Sequence, residues 1–194
     1  RMLILTHTNA ACDVFEERTR GISRNAVEIR TIDAMICEIA AVYHKVLDLP
    51  PDPTVWAYTH NGFSNVAARV AVFLKKNQAV PAALARRYPI IVCDEHQDAS
   101  PDHHQIIMAI HGQGAKLRIF GDRMQSIYAS NAKAPEQHRA RWETLVDSAA
   151  HDELDHPHRW TKDAEGCSEL GEWVLSARET LLANKQLDLT SGLP

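Results

Sequence analysis

Short, wholly apolar runs alternate along the chain with longer stretches in which apolar residues return every three or four positions. The first run, Met2-Leu3-Ile4-Leu5, exits through Thr6-His7-Thr8, so residues 1–8 read as a buried strand with a polar end. From Asn9 to Arg20, Ala11, Val14, Phe15 and Arg18 fall at helical spacing, and Gly21 stands beyond the end as a stop. Val27–Thr31 predicts a second strand. Ile32–Leu47 places Ile32, Met35, Ile36, Ile39, Ala40 and Tyr43 at amphipathic helical spacing. Pro50, Pro51 and Pro53 end that helix, because proline fixes the backbone and removes a donor. Residues 48–87 are expected to form a small helical insertion. Phe63–Lys76 is its main helix, with Val66, Val70, Phe73 and Leu74 on one side, and Ala82–Arg87 extends it.

Tyr88–Cys93 is the strongest strand. It is apolar without alternation, as expected when both faces are covered in a parallel sheet. Two acids, Asp94 and Glu95, follow it directly. Ser100-Pro101-Asp102 then opens a helix with a hydroxyl cap, a proline in first position and an acid in the first turn. This helix runs to about Ile110 and stops at Gly112 and Gly114. Lys116–Phe120 reads as a further strand, Pro135–Ser148 as a helix, Glu153-Leu154-Asp155 as a short strand and Cys167–Leu182 as a last helix. Strands alternating with helices give an α/β fold, a mainly parallel sheet flanked by helices. Ligands of such sheets bind beyond the carboxyl ends of the strands. Three polar clusters are therefore expected on one rim: Thr6–Asn9, Asp94–Asp98 and Gly121–Ser126.

Composition narrows the class. The 194 residues are 45% hydrophobic and 24% charged, which excludes a disordered tail, a collagen-like rod or a coiled coil. A net charge of −4 leaves room for a local basic groove but not for a general basic field. No apolar run reaches the ~20 residues of a membrane span, so no membrane partner is expected. Cys12, Cys37, Cys93 and Cys167 are far apart and form no C-x-x-C pair. They read as free thiols in a reducing, cytoplasmic compartment. The eleven histidines show no H-E-x-x-H spacing. His103 and His104 are neighbours on a predicted helix, so they point about 100° apart and do not easily serve one metal. Trp142, Trp160 and Trp173 read as packing anchors. Ser126 has no His/Asp partner at triad spacing.

The chemistry concentrates at Asp94-Glu95. An acid at a strand end can hold Mg²⁺, which keeps most of its waters and takes one or two carboxylates. A neighbouring acid can then orient and deprotonate a water for attack on a phosphoryl group. An apolar strand followed by two acids is equally a solvated strand end. The longer string D-E-H-Q-D-A-S, followed about twenty residues later by I-F-G-D-R-M-Q-S-I-Y, is more specific. It resembles the UvrD/Rep-like superfamily 1 helicases. Their motif II, D-E-x-Q-D-x-S, is matched by Asp94, Glu95, Gln97, Asp98 and Ser100. Their motif III, G-D-x-x-Q-S-I-Y, is matched by Gly121, Asp122, Gln125, Ser126, Ile127 and Tyr128. Leu5–Arg18 is similar to motif Ia, Ile29–Cys37 to the next DNA-contacting motif, and Leu154–Trp160 to motif IV.

The resemblance implies a RecA-like (P-loop NTPase type) core over 1–47 and 88–160. It implies that 161–194 leads towards a second RecA-like domain. It further implies ATP and Mg²⁺ as cofactors, single-stranded DNA as partner, and 3′–5′ translocation driven by ATP hydrolysis. Asp94 would coordinate Mg²⁺, Glu95 would be the general base, and Gln125 would sense the γ-phosphate. Arg159 would act as an arginine finger. Asp122 would support the Gln125 loop, and Gln97 and Asp98 would tie motif II to its neighbours. Thr6, Thr8, Asn9 and Thr31 would contact phosphates of the strand, and Tyr128 would stack on a base.

Several positions depart from the family pattern. No G-x-x-x-x-G-K-[ST] loop occurs in the sequence, nor does the adenine-recognising glutamine or motifs V and VI. The expectation is therefore a piece of a longer helicase, whose phosphate-loop segment and second RecA-like domain are partners, and which hydrolyses ATP negligibly alone. His7 replaces an aromatic, Asp33 a histidine, and His158 a tyrosine; Ala129-Ser130 replaces a glycine-aromatic-arginine run. The alternative is a non-catalytic nucleic-acid-binding or regulatory module derived from a helicase core. A metal-dependent hydrolase built on Asp94, Glu95, Asp98 and a histidine is a third reading.

Overall fold

Four strands, β1 (Met2–Thr6), β2 (Val27–Thr31), β3 (Ile90–Cys93) and β4 (Lys116–Ile119), form one sheet in the order β2-β1-β3-β4. The computed structural model describes residues 1–23, 25–126, 135–154, 156, 160 and 167–187. All three strand pairs are parallel. Leu3 lies opposite Glu28 and Ile91, and Leu5 opposite Arg30 and Cys93. Every described strand therefore ends on the same rim, and β2 and β4 are its edges. This is the α/β, RecA-like arrangement expected.

The helices are α1 (Asn9–Arg18), α2 (Ile32–Val42), α3 (His44–Leu47), α4 (Pro53–His60), α5 (Phe63–Lys76), α6 (Ala79–Arg87), α7 (Pro101–His111), α8 (Pro135–Ser148) and α9 (Ser168–Leu182). The main core joins Leu3, Leu5 and Ile91 of the sheet to Ile36 of α2, Val66, Val70 and Leu74 of α5, and Ile106 and Ile110 of α7. The predicted apolar face of α5 is thus buried against α2 and α7. By contrast, α1 buries none of its residues.

Two local expectations need correction. The helix from Ile32 ends at Val42 instead of Leu47; Tyr43 separates it from the short α3, and Asp48 leaves with a left-handed backbone, φ 53°. Arg69 donates to the carbonyls of Leu47 and Asp48 and closes this turn. As expected, the prolines do not continue the preceding helix, and Pro53 starts α4. Asp52 caps the helix by accepting from the Val55 N–H, and proline suits the first position, where its missing donor costs nothing. Glu153 and Leu154 form no strand, and Leu154 is 90% exposed; Asp155 lies outside the described residues.

At the amino end of the sheet Glu28 is almost enclosed. It meets Arg1 at 2.9 Å, Arg30 at 2.5 Å and Arg87 at 3.6 Å, and accepts from the Tyr88 hydroxyl at 2.7 Å. Burial, then the hydrogen bond to Glu28, pushes the Tyr88 phenol up to about 12. Residues 1–144 form one compact unit and 145–194 another. In the second, α9 buries Gly171 and Ala177, and a β-carbon on Gly171 would sit 2.8 Å from Cβ of Trp160.

Candidate active site at the carboxyl rim of the sheet

β3 delivers the two acids to the rim. The Asp94 N–H still donates to the Leu5 carbonyl, so Asp94 is held as a continuation of the sheet. Glu95 then turns the chain with a left-handed backbone, φ 50° and ψ 42°. For a residue with a β-carbon this conformation costs ~1–2 kcal/mol. The turn lets His96–Asp98 coil into a 3₁₀ turn under the rim, with the His96 N–H on the Phe120 carbonyl at 3.0 Å. As a result Asp94 is half-buried, Glu95 exposed, and His96 and Gln97 buried. Burial and the adjacent Glu95 raise the Asp94 pKa above the ordinary carboxylate value. A cation between the two would relieve that repulsion, and hard oxygen donors of this kind suit Mg²⁺.

Gln97 is the connector. Its amide nitrogen donates to Glu95 Oε2 at 2.6 Å, and its amide oxygen accepts from the Asp122 N–H at 3.1 Å. Asp122 in turn accepts from the Met124 N–H through Oδ1 at 2.9 Å and from Gln125 Nε2 through Oδ2 at 3.3 Å. Ser126 Oγ donates to the Gln97 carbonyl at 3.5 Å. The acids after β3 and the glutamine turn after β4 are thereby one hydrogen-bonded assembly. Gly121 makes the approach possible: a β-carbon there would lie 2.6 Å from Gln97 Oε1 and 2.8 Å from the Trp142 ring.

The clusters after β1 and β2 complete the rim. Thr6 is buried, 2% exposed; its hydroxyl donates to the Thr8 carbonyl and lies 3.2 Å from Cys12 Sγ. Its place is inside the turn, whereas Thr8 and Asn9 are exposed. Thr8 Oγ1 accepts from the Ala11 N–H and caps α1, and Thr31 Oγ1 accepts from the Ala34 N–H and caps α2. Each hydroxyl keeps its own proton for an outside acceptor. Tyr128 and Arg159 lie outside the described residues, as do Ala129, Ser130 and His158.

Behind the acids sits a group of histidines. His96 Nε2 is 3.1 Å from His104 Nδ1, and His103 Nε2 is 3.2 Å from Asp33 Oδ1. Burial, then the neighbouring His104, brings the His96 pKa down to about 3; burial and Arg141 bring His104 down to about 4. The His7 ring lies 6.1 Å from that of His103. Burial, then His103, lowers the pKa of His7. Among the described residues no three His, Cys, Asp or Glu side chains are placed to share a metal ion. All four cysteines are free, and burial pushes the Cys93 thiol up to about 12. Sequence reasoning separated His103 from His104 correctly but missed their partners. Asp33 and His7, both departures from the family pattern, were the available signal.

Residues 53–137 match the family model described as the UvrD/REP helicase N-terminal domain. A search of curated proteins finds no match for the chain. The matched segment contains both acids, Gln97 and the Gly121–Gln125 turn. Among the described residues no helix is long and apolar enough to cross a membrane. The α/β sheet, its acid-bearing rim and this match together make residues 53–137 similar to a UvrD/REP helicase N-terminal domain.

Proposed function

We propose that this sequence forms part of an ATP-driven motor moving on single-stranded DNA, probed best in the full-length protein. The observation that carries the reading is the link Glu95–Gln97–Asp122–Gln125 along the rim. Exposed Glu95 takes a proton from the attacking water, and Gln97 fixes the carboxylate that receives it. Asp94 would hold Mg²⁺, which would supply neutralisation of charge on the phosphate oxygens. Gln125, tethered to Asp122, faces the same rim and reports the state of the terminal phosphate to the loop that follows. Thr8, Asn9 and Thr31 lie at the exits of β1 and β2, where helix-cap donors and free hydroxyls suit phosphates of a nucleic-acid strand. Arg159 supplies the finger and Tyr128 the stacking ring in this reading, with 3′–5′ movement as the family would have it. This reading requires a phosphate loop supplied from elsewhere, since no G-x-x-x-x-G-K-[ST] occurs in these 194 residues.

The Glu95→Gln variant decides the chemistry. It keeps the shape and the Gln97 contact but cannot accept the proton. DNA-stimulated ATP turnover should fall at least ~10²-fold, the scale of general-base catalysis, while the melting temperature holds. Unchanged turnover removes Glu95 as the base. The second reading is a nucleic-acid-binding module without turnover. A full-length wild type that binds single-stranded DNA but never hydrolyses ATP would establish it.

A further inference from the structure

Backbone pairing runs from β2 to β1 and from β1 to β3, so β2 and β3 share no ladder. Side chains nevertheless bridge the elements that follow them. Asp33, in the first turn of α2, meets His103 in the first turn of α7 at 3.2 Å, past the end of β1. His103 is largely enclosed, its side chain 12% exposed, whereas Asp33 is about one third open to solvent, at 35%. The His7 ring from the exit of β1 lies against His103.

The pair sits within a continuous chain of contacts. Thr31 caps α2 through the Ala34 N–H, and Asp33 lies between those two residues. Asp33 holds His103. The next residue on α7, His104, touches buried His96, which adjoins Glu95. The base of α7 is fixed too, since the His103 N–H donates to Ser100 Oγ and Arg141 donates to the Ala99 carbonyl.

We infer that the Asp33–His103 pair is a positioning strap. It carries displacement of the α2 cap, when a nucleic-acid strand engages Thr31, across β1 to the turn that sets Glu95. The inference rests on the motor reading above and adds residues to it. In this reading both side chains act through their neighbours. A strap of this kind moves the coupling between sites and leaves the unstimulated reaction alone.

The test uses the full-length protein, oligo-deoxythymidylate as the single strand, and ATP turnover with and without it. Asp33→Asn and His103→Gln should each lower DNA stimulation about fivefold or more, with basal turnover and melting temperature unchanged. The exchanged pair, Asp33→His with His103→Asp, should recover most of the stimulation, a rescue that mere packing would not give. Wild-type stimulation in both single variants overturns the strap. So does equal loss of basal and stimulated turnover, or an exchanged pair no better than the single variants. A wild type without any DNA-stimulated turnover overturns the motor reading, and the strap with it.

Discussion

Gln97 shows how one buried side chain can organise an exposed site. A side-chain amide donates on one arm and accepts on the other, and both arms are used here. The nitrogen arm restrains Glu95 and the oxygen arm fixes the turn at Asp122. Alanine at 97 would take that partner from the Asp122 N–H and from one oxygen of exposed Glu95. The Gln97→Ala variant should lose ~1–3 kcal/mol of stability in urea denaturation, together with most ATP turnover in the full-length protein. Turnover kept at wild-type level would show that the two loops work independently. Glu95 itself occupies a left-handed backbone that a side chain resists. That strain falls on the residue proposed as base, a place where a well-packed scaffold supports an unfavourable conformation.

Among the elements, α7 is tied to the sheet by histidines, and that makes its anchorage sensitive to acid. In the unfolded chain His96 and His104 bind protons near the ordinary value of ~6.5. In the fold they bind only near about 3 and about 4. Their contribution to stability is therefore complete above about 6.5 and is lost as the pH falls through about 4 and on towards about 3. Asp94 works in the opposite sense, since folding raises its proton affinity. The urea midpoint should be lower at pH 5 than at pH 7.5, and His104→Gln should flatten the difference; equal midpoints for the wild type would contradict it. The elements also show what could be read in advance. Ser100-Pro101-Asp102 announced α7 because cap, proline and acid are local signals, and the hydroxyl indeed accepts from the His103 N–H. Val66, Val70 and Leu74 announced the face of α5. Pro53 both follows the stop after α3 and begins α4, and Asp52 immediately before it is the cap that decides the start. Asp33 with His103 was not legible, since 70 positions part them in the chain and only the folded sheet brings them together.

At the scale of the whole molecule, the parallel order β2-β1-β3-β4 explains why three separated motifs meet: each follows a strand, and all strands point one way. The same order leaves β4 with a neighbour on one side only among the described strands. Its outer row of amide and carbonyl groups alternates with Lys116 and Arg118, both exposed, whereas Leu117 and Ile119 turn inward. An open ladder invites another chain to complete it, and cationic side chains are a common deterrent. Replacing both with valine would turn this margin into a continuous sticky ribbon. Light scattering on warming should then rise well before the wild type clouds, with little change in the unfolding midpoint measured on dilute protein. Colloidal behaviour would thus be governed by two surface cations far from the chemistry, and a host expressing this sequence would depend on them to keep neighbouring copies apart.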